Sequence, residues 1–81
     1  MPDELFALER YEHSGTPTAP GPLTSGARLV AAVHLPEDDV VLALVEGPDE
    51  AHVTAAAQAA GWRVDRLLPA RWLAAPRGTA E

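Results

Sequence analysis

The chain has 81 residues, a net charge of −6 and no cysteine. That length makes one domain of modest stability, on the order of 5 kcal/mol, and the composition excludes disulfides, thiolate metal sites and cysteine nucleophiles. All six cations are arginines, so the chain lacks the basic footprint that nucleic acid requires, and no apolar run nears the ~20 residues that span a bilayer.

The opening MPDELF has no basic region followed by a long apolar run, so it reads as no signal peptide, and a cytoplasmic protein is expected. Residues 3–11 alternate as a strand does, with Leu5, Ala7, Glu9 and Tyr11 facing one way and Phe6, Leu8 and Arg10 the other. Residues 12–26 (EHSGTPTAPGPLTSG) are dense in proline, glycine, serine and threonine, and read as loop. A loop this long inside a small domain is of the kind that carries function or motion. Residues 27–35 (ARLVAAVHL) form a second strand, and Pro36-Glu37-Asp38-Asp39 turns the chain into a third, making a hairpin.

That third strand, 40–45 (VVLALV), is a continuous apolar run, too short for an independent helix and rich in β-branched residues. Val40, Leu42 and Leu44 point one way, and Val41, Ala43 and Val45 the other. A strand that is apolar on both sides needs both sides covered. Gly47-Pro48 breaks the strand after Glu46. Pro48 suits the first turn of a helix, and the carboxylates of Asp49 and Glu50 suit the positive end of the helix dipole. The helix is expected over 51–60, with Val53, Ala56, Ala57 and Ala60 on its buried stripe. Gly61 ends it in a left-handed turn, and Trp62 follows where chains often fold back. Residues 63–68 alternate as a fourth strand, Trp72 is expected to anchor that strand to the core, and 74–81 read as a disordered tail.

The order is β–loop–β–β–α–β within a single domain, 3–73. It is α+β and ferredoxin-like: a four-stranded antiparallel sheet with one main helix, the first helix being shortened or lost. One helix cannot cover both faces of such a sheet. A homodimer through the exposed face, or a protein partner seated there, is therefore expected.

Three stretches, Phe6-Ala7-Leu8-Glu9-Arg10, Val45-Glu46-Gly47-Pro48-Asp49-Glu50 and Ala59-Ala60-Gly61-Trp62-Arg63-Val64-Asp65-Arg66, together resemble a family of small bacterial nickel-binding-protein-like domains. The likeness covers most of residues 5–73 in short pieces. It implies the ferredoxin-like fold and, as a possible cofactor, nickel or another divalent metal. The departures are specific. Residues 12–26 replace the family's first helix. Leu29, Ala31 and Val33 stand where members often carry tryptophan, histidine or tyrosine, and Ala43 stands where they often carry cysteine. A lysine-free, alanine-rich composition also points to a GC-rich bacterial genome.

In this topology the end of the first strand meets the end of the second and the beginnings of the third and fourth. That rim gathers Glu9, Tyr11, His13, His34, Asp38, Asp39, Arg63 and Asp65. A ligand would meet Glu9, Arg10, Tyr11 and Arg63 there. A metal would draw on His13, His34 and Asp39, since imidazole and carboxylate suit nickel, zinc or copper, although no two histidines have the close spacing of a ligand motif. Catalysis would use Glu9 or His34 as general base beside Tyr11. Against that, Glu9 is expected to pair with Arg63 or Arg66 across the strands, which is ordinary sheet chemistry. The reading favoured is a non-catalytic accessory protein that binds a ligand or partner. The alternative is a small dimeric enzyme acting on a biosynthetic intermediate by general acid–base chemistry at the rim. A buried Glu9 or His34 in a closed apolar pocket would favour the enzyme, and a solvated rim beside a large apolar sheet face would favour the binding module.

Overall fold

The computed structural model describes residues 3–12, 21–23 and 26–74. Four strands, β1 (Glu4–Tyr11), β2 (Arg28–Leu35), β3 (Val40–Gly47) and β4 (Arg66–Ala70), and one helix, α1 (Glu50–Ala59), follow in the order β1-β2-β3-α1-β4. The sheet is antiparallel throughout, in the order β2-β3-β1-β4. This is an α+β, ferredoxin-like layout. Among the described residues it has one helix. Residues 13–20, 24 and 25 of the long loop, and 75–81 of the expected tail, lie outside the described residues.

The register sorts the paired strand residues to two faces. Phe6 sits opposite Val45, and Leu8 opposite Ala43 and Leu67. Phe6, Leu8, Ala43 and Val45 form the core with Val53 and Ala57 of α1, and Leu67 packs against it. Val45 and Val53 are fully buried, and burying such side chains stabilises the fold by about 1.5–3 kcal/mol each. Leu23, Ala27 and Leu29 pack against the same cluster, and Trp62 Nε1 donates to the Gly21 carbonyl at 3.0 Å. The described end of the long loop therefore covers part of the face that α1 leaves open.

The helix lies close to β3 because its contact side chains are small and because Gly47 lacks one. A Cβ on Gly47 would stand 2.7 Å from Val53 Cγ2 and 2.9 Å from the Gly26 carbonyl oxygen. At its far end the Gly61 amide donates to Gln58 O and the Trp62 amide to Ala57 O, both at 3.0 Å, with Gly61 left-handed at φ 79°. This is the glycine-terminated helix end expected from the sequence.

Several boundaries differ from the sequence expectation. β3 continues through Glu46 and Gly47, which pair with Leu5 and Glu4. Asp49 is the N-cap rather than a first-turn residue, its side chain accepting from the His52 amide, so Pro48 precedes the helix. β4 starts at Arg66 instead of residue 63 and runs through Pro69. Proline is tolerated there because β4 is an edge strand. Trp72 does not reach the core. Its Nε1 lies 3.4 Å from Glu46 Oε2, on the face opposite the helix.

Two measurements test this account. Gly47→Ala should destabilise the fold by about 1–3 kcal/mol, the usual range for overpacking, as a lower urea midpoint with an unchanged slope. The cap supplies a pH signature. Hydrogen bonds from the His52 amide, then from its ring, hold the Asp49 carboxyl below the usual carboxylate range. A folded-state pKa that is depressed gives stability present above the unfolded pKa and lost as pH falls through the folded one. Melting temperatures of Asp49→Ala and the native chain should differ at neutral pH and converge as pH falls below the usual carboxylate range.

Candidate functional site

The sheet rim forms as the topology requires, but its polar side chains mostly finish the sheet. The β1–β4 ladder ends at the Glu9–Arg66 pair. Beyond it the Asp65 amide donates to the Glu9 carbonyl at 2.8 Å. The next donor of β1, the Tyr11 amide, is met by the Asp65 carboxylate at 2.8 Å, and the Tyr11 carbonyl accepts from the Arg63 guanidinium. Arg63 and Asp65 themselves stand 3.5 Å apart. Two side chains thus replace the backbone groups that a longer β4 would have offered, satisfying groups that would otherwise lack a protein partner. On the other side of β1, the Glu12 amide donates to the Asp39 carbonyl at 2.8 Å. Asp39 reaches that position with φ 54°, a left-handed conformation that aspartate tolerates better than most residues.

The candidate residues divide between the two faces. Glu9 and Tyr11 lie on the face away from the helix, where the Tyr11 hydroxyl donates to Glu9 Oε1 at 3.0 Å. That contact, and not an ion pair with Arg63 or Arg66, is what engages the Glu9 carboxylate, although Arg66 is its register partner. Arg10 points to the helix side, half-buried, and pairs with Glu12. His34 shares a face with Val41 and Ala43, and its Nε2 lies 3.4 Å from Asp39 Oδ1. Among the described residues, no three histidine or carboxylate side chains converge as a metal centre would require. His13 lies outside the described residues.

Two further surfaces emerge. A groove of about 420 Å³ separates α1 from the 62–67 segment, with Trp62, Val64 and Leu67 on one side and Thr54 and Gln58 on the other. Of its residues, sequence reasoning singled out Arg63 for ligand binding. The groove exists because β4 starts late, which alternation did not reveal. The second surface is the outer sheet face. Ala7, Leu42, Leu44 and Leu68 lie across its middle, half-buried, with Val33 and Leu35 exposed at the β2 side. The pairs Arg28–Glu46 and Tyr11–Glu9 edge it at opposite ends. Among the described residues no helix lies over it.

Comparison with protein families, with characterised proteins and with solved structures finds no match to this chain. Its fold is read from its own topology. No helix among the described residues is long and apolar enough to cross a membrane.

If Asp65 completes the ladder, Asp65→Ala should speed hydrogen exchange at the Tyr11 amide by about fivefold, the equivalent of roughly 1 kcal/mol for one hydrogen bond. Exchange at the Phe6 and Leu8 amides should change far less. Nuclear magnetic resonance reads all three in one experiment.

Proposed function

We propose that this chain is a non-catalytic association module whose outer sheet face binds a second copy of itself. The observation carrying this reading is the exposure of Val33 and Leu35, 51% and 43%, on a face whose centre is Leu42, Leu44 and Leu68. An apolar patch rimmed by polar pairs has the anatomy of an interface. Its size is that of a small one: three strands of eight residues and a fourth of five, about 4.8 Å apart and rising about 3.4 Å per residue, make a flat face of roughly 470 Å². That lies below the ~800 Å² per partner of a standard interface and fits a weak, reversible one. A two-fold arrangement lets one patch serve both copies.

The state of the polar candidates supports binding over catalysis. A general base needs a pKa tuned by burial or neighbours. Glu9 is only half-buried and bonded to an exposed tyrosine, and His34 is exposed. Binding of nickel or another divalent metal, the expectation raised by the family resemblance, would need a donor beyond the His34–Asp39 pair.

Leu42→Arg places a charge at the centre of the face without touching the helix side. It should halve the apparent mass measured by light scattering while leaving the circular dichroism spectrum unchanged. A folded variant of native mass would overturn the proposal.

A further inference from the structure

The geometry points to a second self-association surface: the outer edge of β2, pairing antiparallel with β2 of another copy to join two sheets into one of eight strands. It is independent of the outer-face pairing proposed above, because it uses backbone groups at an edge rather than side chains on a face.

The sheet has two edges, and they are built differently. β4 is five residues long and carries Pro69, a short strand with a residue that cannot donate to a ladder. Both features protect an edge. β2 is eight residues long with neither proline nor lysine, and among the described residues it pairs on one side alone, with β3. Its irregularity, between Leu29 and Ala31, is confined to the first half. From Ala31 to Leu35 the pairing with β3 is regular, and Ala32 through Leu35 are all exposed. A regular edge whose side chains are apolar apart from His34 is a template for another strand.

The occupant best matched to this edge is a second copy. A two-fold axis perpendicular to the sheet sets one residue opposite its own equivalent. Centring it on the regular stretch selects Val33. Ala31 then faces Leu35 of the second copy, Ala32 faces its His34, and the two valines meet as a β-branched pair of the kind that stabilises sheets. The same axis carries Arg28 toward the acidic turn Glu37-Asp38 of the other copy. The Arg28 side chain is 61% exposed beside Glu46, and a guanidinium has donors to spare for a second carboxylate. The pairing therefore brings opposite charges together at both ends and like charges nowhere. Combined with face-to-face pairing, it closes a four-copy assembly of two stacked eight-stranded sheets, with dihedral symmetry.

The absence of native cysteine makes the axis directly testable. Val33→Cys in the Leu42→Arg background, where the outer face is disabled, should form an intermolecular disulfide. Directly opposed strand residues stand about 4.5–5.5 Å apart, within the span a disulfide bridges. Ala32→Cys, offset from the axis, should cross-link far less. By light scattering the native chain should have the mass of four copies, Leu42→Arg of two, and Leu42→Arg with Val33→Lys of one. Cross-linking that is equal at both positions, absent, or accompanied by a single-copy mass for Leu42→Arg would overturn the edge pairing and leave the face pairing standing. The opposite result, a native mass that ignores Leu42→Arg while Val33→Cys cross-links, would sink the face pairing and uphold the edge.

Discussion

β3 must be covered on two sides, and the chain brings a helix to one; on the other, Leu5 is buried at the end where Trp72 meets Glu46 and the rest stands half-open. Its Val41, Ala43, Val45 and Gly47 are buried under the helix side, while Val40, Leu42, Leu44 and Glu46 on the other side are only half-buried. β3 is also an inner strand, held between β2 and β1. The register of both neighbours follows from which of its faces meets the helix, because a one-residue slip would exchange the two sets of side chains. Phe6 and Leu8 from β1 and Leu67 from β4 reach the core through that register.

The polar residues answer a different need. Sheet edges and strand ends leave backbone donors and acceptors that must find partners. At the end of β1 these partners are the Asp65 carboxylate, the Arg63 guanidinium and the Asp39 carbonyl. Residues that look chemically suggestive as a cluster are largely occupied with finishing the ladder. Glu9 and Tyr11 engage each other on one face while His34 and Asp39 lie at the other strand pair. A site that needed all four would have to reach through the sheet.

Much of this was legible in the sequence, and the reasons are local. The six-residue apolar run of β3, the glycine after an alanine-rich helix and the acidic turn before β3 each have one good structural reading. The start of β4 did not. Arg63, Val64 and Asp65 alternate as a strand would, yet their polar members are spent on the β1 terminus, so the ladder begins only at Arg66. Alternation cannot tell a backbone pair from a side chain standing in for one. Pro48 was similarly ambiguous, since proline suits both the first helical turn and the residue before a cap; the Asp49 side chain decides it. Trp72 misled because a large aromatic near a strand end has two faces to choose from, and strand parity places it on the outer one. The rim was legible as a meeting of strand ends. Which face each side chain takes depends on the register, which composition does not reveal.

The β2 edge and the outer face lie open for different reasons: a helix in the β1–β2 connection would pack on the same side as α1, sheltering β2 there and leaving the outer face as it is. A helix placed between β1 and β2 would lie across β2 and β3, whereas the described part of the connection supplies only Leu23 and Ala27 against the core, near the beginning of β2. Burial along β2 accordingly falls from half-buried at Leu29 to exposed from Ala32 onward. α1 cannot compensate. Its buried residues are Val53, Ala56 and Ala57, small side chains that allow close approach through Gly47 but reach only a narrow strip of sheet. Closeness and breadth of cover are opposed in a helix of this composition. Larger side chains would widen the strip and also lift the helix from the sheet. The chain has the close packing on one side, and the apolar residues of the other side, which no width of helix strip would reach, are the surface that association can bury.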